Sequence, residues 1–504
     1  MDCENPTFPE ESLDPDDWEA TRELGHRMVD DMLDYLRNVR ERPVWQHLPP
    51  EVAARLHGPV PRSSTPAEAV YEEFGDRVLP YAIGNIHPRL WGWVFGTGTV
   101  TGALAGLLAD TMDSNGGGLS FHSAAHVEHQ VVDWCKELLG FPATAGGVLT
   151  SGCSGSNLIG LAVARNVKAP GDVRREGLHS AGGRMALYAS DEIHSSIQKA
   201  VELLGLGAAA LRRVPTNDRY QIDVASLKDA IARDRAEGYL PFCVVGAAGT
   251  TNTGSVDDLE ALADLCRCED LWFHVDGAFG AWAALAPRHR HLLAGMELAD
   301  SLACDLHKWM YLPYAIGLVL VRSEEQHRKA FSLTPAYLAH GEGGRGMVGA
   351  DLTWLSDYSF ELSTGFRSLR AWMCLKEYGA EKLGRLIQQN IDQAQYLAGL
   401  VVATPQLELV APAMLNVVDF RFVPTGRPAP PPAAGGTAED DAALDDLNKQ
   451  IVVELQERGI AAPSGTTLRG RYAIHVANTN HRTRREDFDL LVREIVRLGE
   501  ELGR

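Results

Sequence analysis

Three short stretches carry residue types that could do chemistry together. The first, Ser151-Gly152-Cys153-Ser154-Gly155-Ser156-Asn157, follows an apolar run and opens a helical pattern. Small side chains there let backbone N–H groups approach an anion, and a helix N-terminus adds a favourable dipole, so phosphate is the natural ligand. Alone, the stretch reads equally well as a tight strand-to-helix turn capped by Ser and Asn. The second is His274-Val275-Asp276-Gly277-Ala278, in which Asp276 closes an apolar run and either caps the next segment or partners a buried cation. The third is Asp305-Leu306-His307-Lys308-Trp309. A lysine in a cleft can have its ammonium pKa lowered from about 10.4 by desolvation and a cationic neighbour, which makes it a nucleophilic amine. Taken singly, Asp276 and Lys308 read as a cap and a solvated charge. Taken together, an anion cup, an acid and an amine at three strand ends are what pyridoxal 5'-phosphate needs: a phosphate anchor, a partner for the pyridine nitrogen and a Schiff-base lysine.

The elements that must position these groups follow from periodicity. Strands are predicted at Gly147–Thr150, Met185–Ala189, Phe242–Gly246, Leu271–Val275 and Ile316–Val321, with helical patterns between them at Asn157–Val167, Ser195–Leu204, Val224–Arg235 and Val256–Cys266. This alternation predicts an α/β fold with a mostly parallel sheet, which collects ligands at the carboxyl ends of its strands. Apolar spacing also predicts an amphipathic helix from Asp16 to about Arg40, and the proline-rich stretch after it suggests a helix free to clasp a second subunit. Beyond Phe366 a helix from Ser368 to about Thr404 leads to a strand at Leu415–Phe422. A small C-terminal α+β domain resumes at Leu447, with a strand at Tyr472–Val476 and a last helix from Glu486. The expected organisation is an N-terminal helical segment over residues 1–95, a large cofactor-binding domain over 96–376, and a small domain over 377–504 with a disordered insert at 424–446.

Composition sets the outer limits. With 47 basic and 67 acidic side chains among 504 residues, the formal charge is −20, which disfavours nucleic acid as a partner. A composition 45% hydrophobic and 23% charged suits a soluble globular protein. The eight cysteines are scattered, as expected for reduced thiols in a cytoplasmic protein. No run is long enough to span a membrane, and no secretory signal is visible at the acidic N-terminus.

The ordered motifs HPRLWGWVFGTGT (His87–Thr99), TSGCSGSN (Thr150–Asn157), SDEIHSSIQKA (Ser190–Ala200), GTTNTGSVDD (Gly249–Asp258), LWFHVDGAFG (Leu271–Gly280), DLHKW (Asp305–Trp309), FRSLRAW (Phe366–Trp372) and NHRTRREDFD (Asn480–Asp489) carry a resemblance over nearly the whole chain. The sequence resembles the group II pyridoxal-phosphate-dependent amino-acid decarboxylases, which include the aromatic-L-amino-acid decarboxylases. The resemblance implies an aspartate-aminotransferase-like fold (fold type I), a homodimer with sites at the subunit interface, and decarboxylation of an L-amino acid, with aromatic substrates favoured. It implies that Lys308, His194 and Asp276 are catalytic: Lys308 forms the Schiff base, His194 stacks on the ring, and Asp276 pairs with the pyridinium. Cys153 and Ser154 would hold the phosphate, Thr250 would lie near the departing carboxylate, and His307 would support Lys308. Ala278 and Asp305 complete the implied cofactor-binding set, while Thr97, Trp91 and Trp93 fall in the substrate-facing segment.

One departure bears on the product. In the family a tyrosine on a mobile loop is thought to return the proton after CO2 leaves. The corresponding stretch, Leu338–Ser363, is glycine-rich, but its only tyrosine, Tyr358, lies in the segment after the loop, and the catalytic place falls near Trp354 or Leu355. Relatives lacking that tyrosine react with oxygen and release an aldehyde, ammonia and peroxide, so oxidative aldehyde synthesis is the alternative outcome. A second departure is Thr364-Gly365, where arginine is common, and Ser363 mildly favours a phenolic substrate. An aminotransferase of the same fold or a silent scaffold fits the motifs less well. Gly96–Gly102 has the wrong spacing for a dinucleotide fingerprint, and His122, His126 and His129, although on one helical face, read as interface or surface histidines and not as a metal site.

Overall fold

The computed structural model describes residues 11–117, 122–333, 353–424 and 438–503. The chain forms two compact units, residues 1–42 with 46–82, and residues 43–45 with 83–504. In the first, the helix Trp18–Arg37 is capped by Asp17, whose carboxylate accepts the Glu19 and Ala20 N–H groups at 3.0 Å. Its polar face meets the helix Ala67–Arg77 through the Arg27–Glu68 ion pair and the Tyr71 hydroxyl, which donates to Asp31 Oδ2 at 2.7 Å. Neither helix buries a single residue within its own unit.

The second unit is built on a seven-stranded sheet of β1 (Gly146–Thr150), β2 (Met185–Ser190), β3 (Leu211–Val214), β4 (Leu240–Ala247), β5 (Trp272–Asp276), β6 (Ser301–Asp305) and β7 (Gly317–Val321). The strand order is β1-β7-β6-β5-β4-β2-β3, and β7 alone runs antiparallel to its neighbours. β3 is absent from the sequence expectation, and β6 enters it only as the strand end implied before Lys308. β6 reads SLACD, with no β-branched residue, and is a strand because β5 and β7 pair with it on both sides. Side chains alternate between the two faces: Val244, Phe273, Val275 and Leu302 pack in one core, and Cys243, Val245 and Trp272 in the other. His274 and Asp276, in phase with Trp272, therefore point to the second face, where the helix Cys153–Lys168 lies.

A four-stranded antiparallel sheet of β8 (Leu407–Leu409), β9 (Val417–Phe422), β10 (Ser464–Leu468) and β11 (Arg471–Ala477), in the order β10-β11-β9-β8, packs under the helices Ala438–Glu457 and Arg485–Leu502. The helix Ser368–Ala403 serves both sheets, touching the helices Val100–Met112 and Ser123–Leu139 early in its course and β8 and β9 later. It runs through the boundary expected at 376/377 and breaks at Gly379, whose φ of 70° is left-handed. Residue 95, the other expected boundary, lies inside the second unit, because the first ends at Ala82. The helix Ala438–Glu457 begins within the insert expected at 424–446, and residues 425–437 lie outside the described residues.

Candidate active site

β1, β5 and β6 run parallel, so Thr150, Asp276 and Asp305 end on one edge of the sheet. Between Thr150 and Asp305 stands Gly317 of β7, paired with both. A Cβ on Gly317 would come within 2.7 Å of the Gly152 backbone, so glycine is what lets the turn after β1 fold toward Asp305. There the helix Cys153–Lys168 begins, and the Cys153 N–H donates to Asp305 Oδ1 at 2.6 Å. The other carboxylate oxygen, Oδ2, lies 3.1 Å from Lys308 Nζ. The segment before Thr97 completes the floor. A Cβ on Gly96 would overlap the His307 carbonyl oxygen, only 1.5 Å away, so this backbone lies directly on that of Lys308. Its position is fixed from the connection after the strand Arg471–Ala477: Arg482 Nη1 donates to the Thr97 and Gly98 carbonyls at 3.2 and 3.3 Å, and Asn480 Nδ2 to the His87 carbonyl at 2.8 Å.

These elements enclose a cavity of about 510 Å³. Ser154, His194 and Lys308 lie on its walls, and Trp93, Phe95 and Tyr314 supply an aromatic side. The Trp93 and Phe95 rings are 5.4 Å apart, and the Tyr314 ring sits 4.3 Å from that of His307. The Tyr314 hydroxyl accepts the Gly96 N–H at 3.2 Å.

Behind the wall runs a hydrogen-bond chain whose direction is fixed by the Asp276 carboxylate, which can only accept. Asp276 Oδ1 takes the Ala278 N–H at 3.2 Å, and the Cys153 Sγ lies 3.6 Å from the same oxygen. Asp276 Oδ2 takes a proton of Asn157 Nδ2 at 3.1 Å, which orients the Asn157 amide. Asn157 Oδ1 must then accept from His274 Nε2 at 2.9 Å, leaving His274 Nδ1 to accept the Ser301 hydroxyl at 2.7 Å. The second Nδ2 proton of Asn157 goes to Ser196 Oγ at 3.1 Å. Both the Ser196 N–H (3.2 Å) and its hydroxyl (2.9 Å) are directed at His194 Nδ1, so the neutral His194 ring carries its proton on Nε2.

Burial holds both histidines neutral, lowering His194 and bringing His274 down to about 4. It also pushes the Cys153 thiol far above its ordinary value, so Cys153 is a packing thiol and no nucleophile. For Lys308 the outcome reverses the sequence expectation. Burial works against the ammonium, but the Asp305 carboxylate beside it, with Asp276 further off, outweighs burial and holds the pKa above the ordinary value.

Cys153, Ser154, His194, Ala278, Asp305, His307, Lys308 and Trp93 all border this cavity, with Asp276 immediately behind Cys153 and Ala278. Three expected residues are elsewhere. The Thr250 hydroxyl turns into its own loop, bonded to Thr253 Oγ1 at 2.8 Å and to the Ser255 N–H at 3.1 Å, and Thr251 borders the cavity in its stead. Trp91 is buried against Phe488 with centroids 4.8 Å apart, its indole N–H on Thr483 Oγ1 at 3.2 Å. Thr97 is 2% exposed and does not border the cavity. The sequence assigns no site role to Ser196, His274, Ser301 or Tyr314, and reads Asn157 only as a helix cap. Two signals existed: His274 stands two residues before Asp276 on the same strand face, and Asn157 one helical turn after Cys153.

Of the loop Leu338–Ser363, residues up to 352 lie outside the described residues. Trp354 and Leu355 are buried, and the Tyr358 hydroxyl donates to Glu324 Oε1, away from the cavity. Thr364 pairs with the Asn115–Gly116 segment through its main chain. His129 Nε2 lies 3.1 Å from the Thr353 carbonyl, and no group of three metal-ligating side chains occurs among the described residues.

The donor set fits pyridoxal 5'-phosphate. The start of the Cys153–Lys168 helix already receives an anionic oxygen, a fixed carboxylate stands at the end of β5, and one lysine reaches the cavity between them. Fold and site together define a pyridoxal-phosphate enzyme of fold type I. Residues 49–423 match the pyridoxal-dependent decarboxylase conserved domain, and the chain belongs to that family. It is 31% identical over 487 residues to an aromatic-L-amino-acid decarboxylase of Bacillus atrophaeus, covering 96% of each chain. It is 29% identical over 482 residues to a phenylacetaldehyde synthase of Arabidopsis thaliana, covering 92% of this chain and 93% of the relative. The crystal structure of Oryza sativa TDC with PLP and tryptamine superposes with a TM-score of 0.87 at 26% identity, over 97% of this chain and all of the other. The protein is thus a pyridoxal-phosphate-dependent amino-acid decarboxylase. No helix among the described residues is long and apolar enough to cross a membrane.

Proposed function

We propose that the chain decarboxylates an aromatic L-amino acid to its amine and CO2, with Lys308 as the amine that binds the cofactor. The observation that carries the substrate class is the cavity wall. Trp93, Phe95 and Tyr314 offer aromatic faces, and Lys308 is its only lysine or arginine among the described residues, so no cation is left for an acidic substrate side chain. The names of relatives, an aromatic-L-amino-acid decarboxylase among them, point the same way.

The cofactor supplies an electron sink for the pair released when CO2 departs. The chain supplies the rest. Ser154 and the start of its helix hold the phosphate. Asp276, aligned by Asn157 and Ala278, would keep a proton on the ring nitrogen, and His194 would cover the ring. Lys308 would hold the cofactor through its Nζ, and His307, with its Nδ1 3.0 Å from the Ile316 carbonyl, would brace Lys308. The aromatic wall would orient the substrate side chain.

A second outcome is favoured by one observation: the Tyr358 hydroxyl is engaged by Glu324, and by resemblance the place of the family's loop tyrosine falls near Trp354 or Leu355. Oxidation would then convert amino acid, O2 and water to aldehyde, CO2, ammonia and H2O2. A panel of L-amino acids assayed for CO2, amine, ammonia and peroxide separates the two. Amine equal to CO2 establishes decarboxylation, whereas peroxide and ammonia in step with CO2 establish the oxidative reaction. Lys308→Ala abolishes both.

The same reading makes the protein a cytoplasmic homodimer. On the helix Val100–Met112, Leu107, Leu108 and Met112 are each about half exposed, an apolar face suited to a second copy. All seven described cysteines are free thiols, in keeping with a reducing compartment. Light scattering at micromolar concentration tests the dimer.

A further inference from the structure

Among the described residues that border the cavity, Asp305 is the one whose charge opposes the ligand. A phosphate seated at the start of the Cys153–Lys168 helix needs the Cys153 N–H, and that N–H already donates to Asp305 Oδ1 at 2.6 Å. A cofactor aldehyde needs the Lys308 amine in its neutral form, yet Lys308 Nζ lies 3.1 Å from Asp305 Oδ2 and is held as an ammonium. Both oxygens of one carboxylate thus engage the two groups that the two ends of the cofactor require. Asp305 is 2% exposed, and its main chain is pinned by the Ala278 carbonyl and the Trp282 indole, so the side chain can move only by rotation. No arginine borders this cavity among the described residues to offset a phosphate dianion, and burial keeps His194 and His307 neutral.

We propose that Asp305 is an internal competitor for the cofactor phosphate: its carboxylate occupies the helix N-terminus and ties down Lys308, and it must leave the Cys153 amide when phosphate binds. This rests on the reading of the cavity as the pyridoxal-phosphate site, and it replaces the expectation that Asp305 helps to hold the cofactor. A carboxylate beside a phosphate repels it, whereas an amide of the same shape donates to it. The consequence is a weaker hold on the cofactor than the helix start alone would give, and slower capture by Lys308.

Inorganic phosphate is the decisive probe, because it cannot react with Lys308. Its affinity for the full chain, freed of cofactor, is measured by competition against pyridoxal 5'-phosphate for wild type, Asp305→Asn and Asp305→Ser, with cofactor affinity read by fluorescence quenching. Asp305→Asn should bind inorganic phosphate at least about tenfold more tightly, the equivalent of about 1.4 kcal/mol, and release the cofactor more slowly. Equal or weaker phosphate affinity in folded Asp305→Asn and Asp305→Ser overturns the proposal. A crystal structure of the cofactor-loaded wild type decides the matter without any variant. The proposal requires Asp305 Oδ1 to lie beyond hydrogen-bond range, about 3.5 Å, of the Cys153 nitrogen. A carboxylate still bonded there beside a bound phosphate overturns it. If the wild type takes no cofactor and hydride trapping labels nothing at Lys308, the reading of the cavity fails and the proposal with it. If the wild type binds the cofactor and only the phosphate comparison fails, Asp305 alone was misread.

Discussion

Asn157 Nδ2 donates to Asp276 Oδ2 at 3.1 Å, and because its own oxygen accepts from His274 Nε2 at 2.9 Å, the Asn157 amide has one orientation. Through that amide the proton arrangement of the whole buried chain, from Ser301 to His194, follows from the charge on Asp276.

Asn157→Leu therefore removes a donor from a buried carboxylate and an acceptor from a buried imidazole. Leaving such groups unpaired costs about 1–3 kcal/mol each. The variant is expected to lose stability in urea unfolding and, on the proposal that Asp276 pairs with the cofactor ring nitrogen, to lose at least about tenfold in kcat with little change in KM. A variant with lowered stability and wild-type kcat would show the chain to be structural only.

His274 and Glu128 predict opposite pH dependences of stability. His274 is held near 4 against 6.5 unfolded, so its contribution is present above pH 6.5 and is lost as pH falls toward 4, about 2 kcal/mol by pH 5. Glu128, fully enclosed, is raised from 4.5 to about 7 mainly by burial, with the Arg367 charge and the Leu149 N–H opposing. Its contribution is present below pH 4.5 and is lost as pH rises through 7, about 3 kcal/mol in all. Glu128→Gln should flatten the decline between pH 5 and 8 in urea midpoints, and His274→Gln should flatten the acid limb.

Asp257 ties the end of β4 to the connection after β3, accepting the Ala247 and Ile222 N–H groups at 2.7 Å each. In Asp257→Asn one of these donors faces an amide N–H2, and the loss is expected to be about 1–3 kcal/mol. The thermal midpoint, measured with cofactor in excess, reads this directly.

Trp91→Ala tests the assignment of Trp91 to the core and away from the substrate. The cavity left against Phe488, with the Thr483 hydroxyl losing its donor, should cost about 3–5 kcal/mol. KM for the substrate should stay within about twofold in whatever fraction remains folded, whereas Trp93→Ala, at the cavity wall, should raise KM several-fold without comparable loss of stability.

The parts of the fold legible in sequence are those with local causes. β1, β2, β4, β5 and β7 carry apolar or β-branched runs of their own, and the helices between them have caps and periodic faces. β3 carries no such run and β6 only the short Leu302–Cys304, so both exist by pairing with neighbours. Within the site, the placement of Ser154, Asp276 and Lys308 at element ends was readable, because each closes or opens a patterned run. Whether a side chain near those ends faces the cavity was not. Thr250 and Thr251 are adjacent and chemically alike, and only the bonds of Thr250 to Thr253 and Ser255 decide which one turns away.

What the residues determined alone is the inventory: a phosphate-receptive helix start, an acid and an amine spaced to end on one sheet edge. What only the folded chain decided is the charge state and aim of that inventory. Lys308 is an ammonium, not a lowered amine, because Asp305 closes on it from the same turn. Asp276 is aimed by Asn157, more than a hundred residues earlier in the chain. Electrostatic and hydrogen-bond energies depend on distances of a few ångströms across the fold, and no spacing along the sequence encodes those distances.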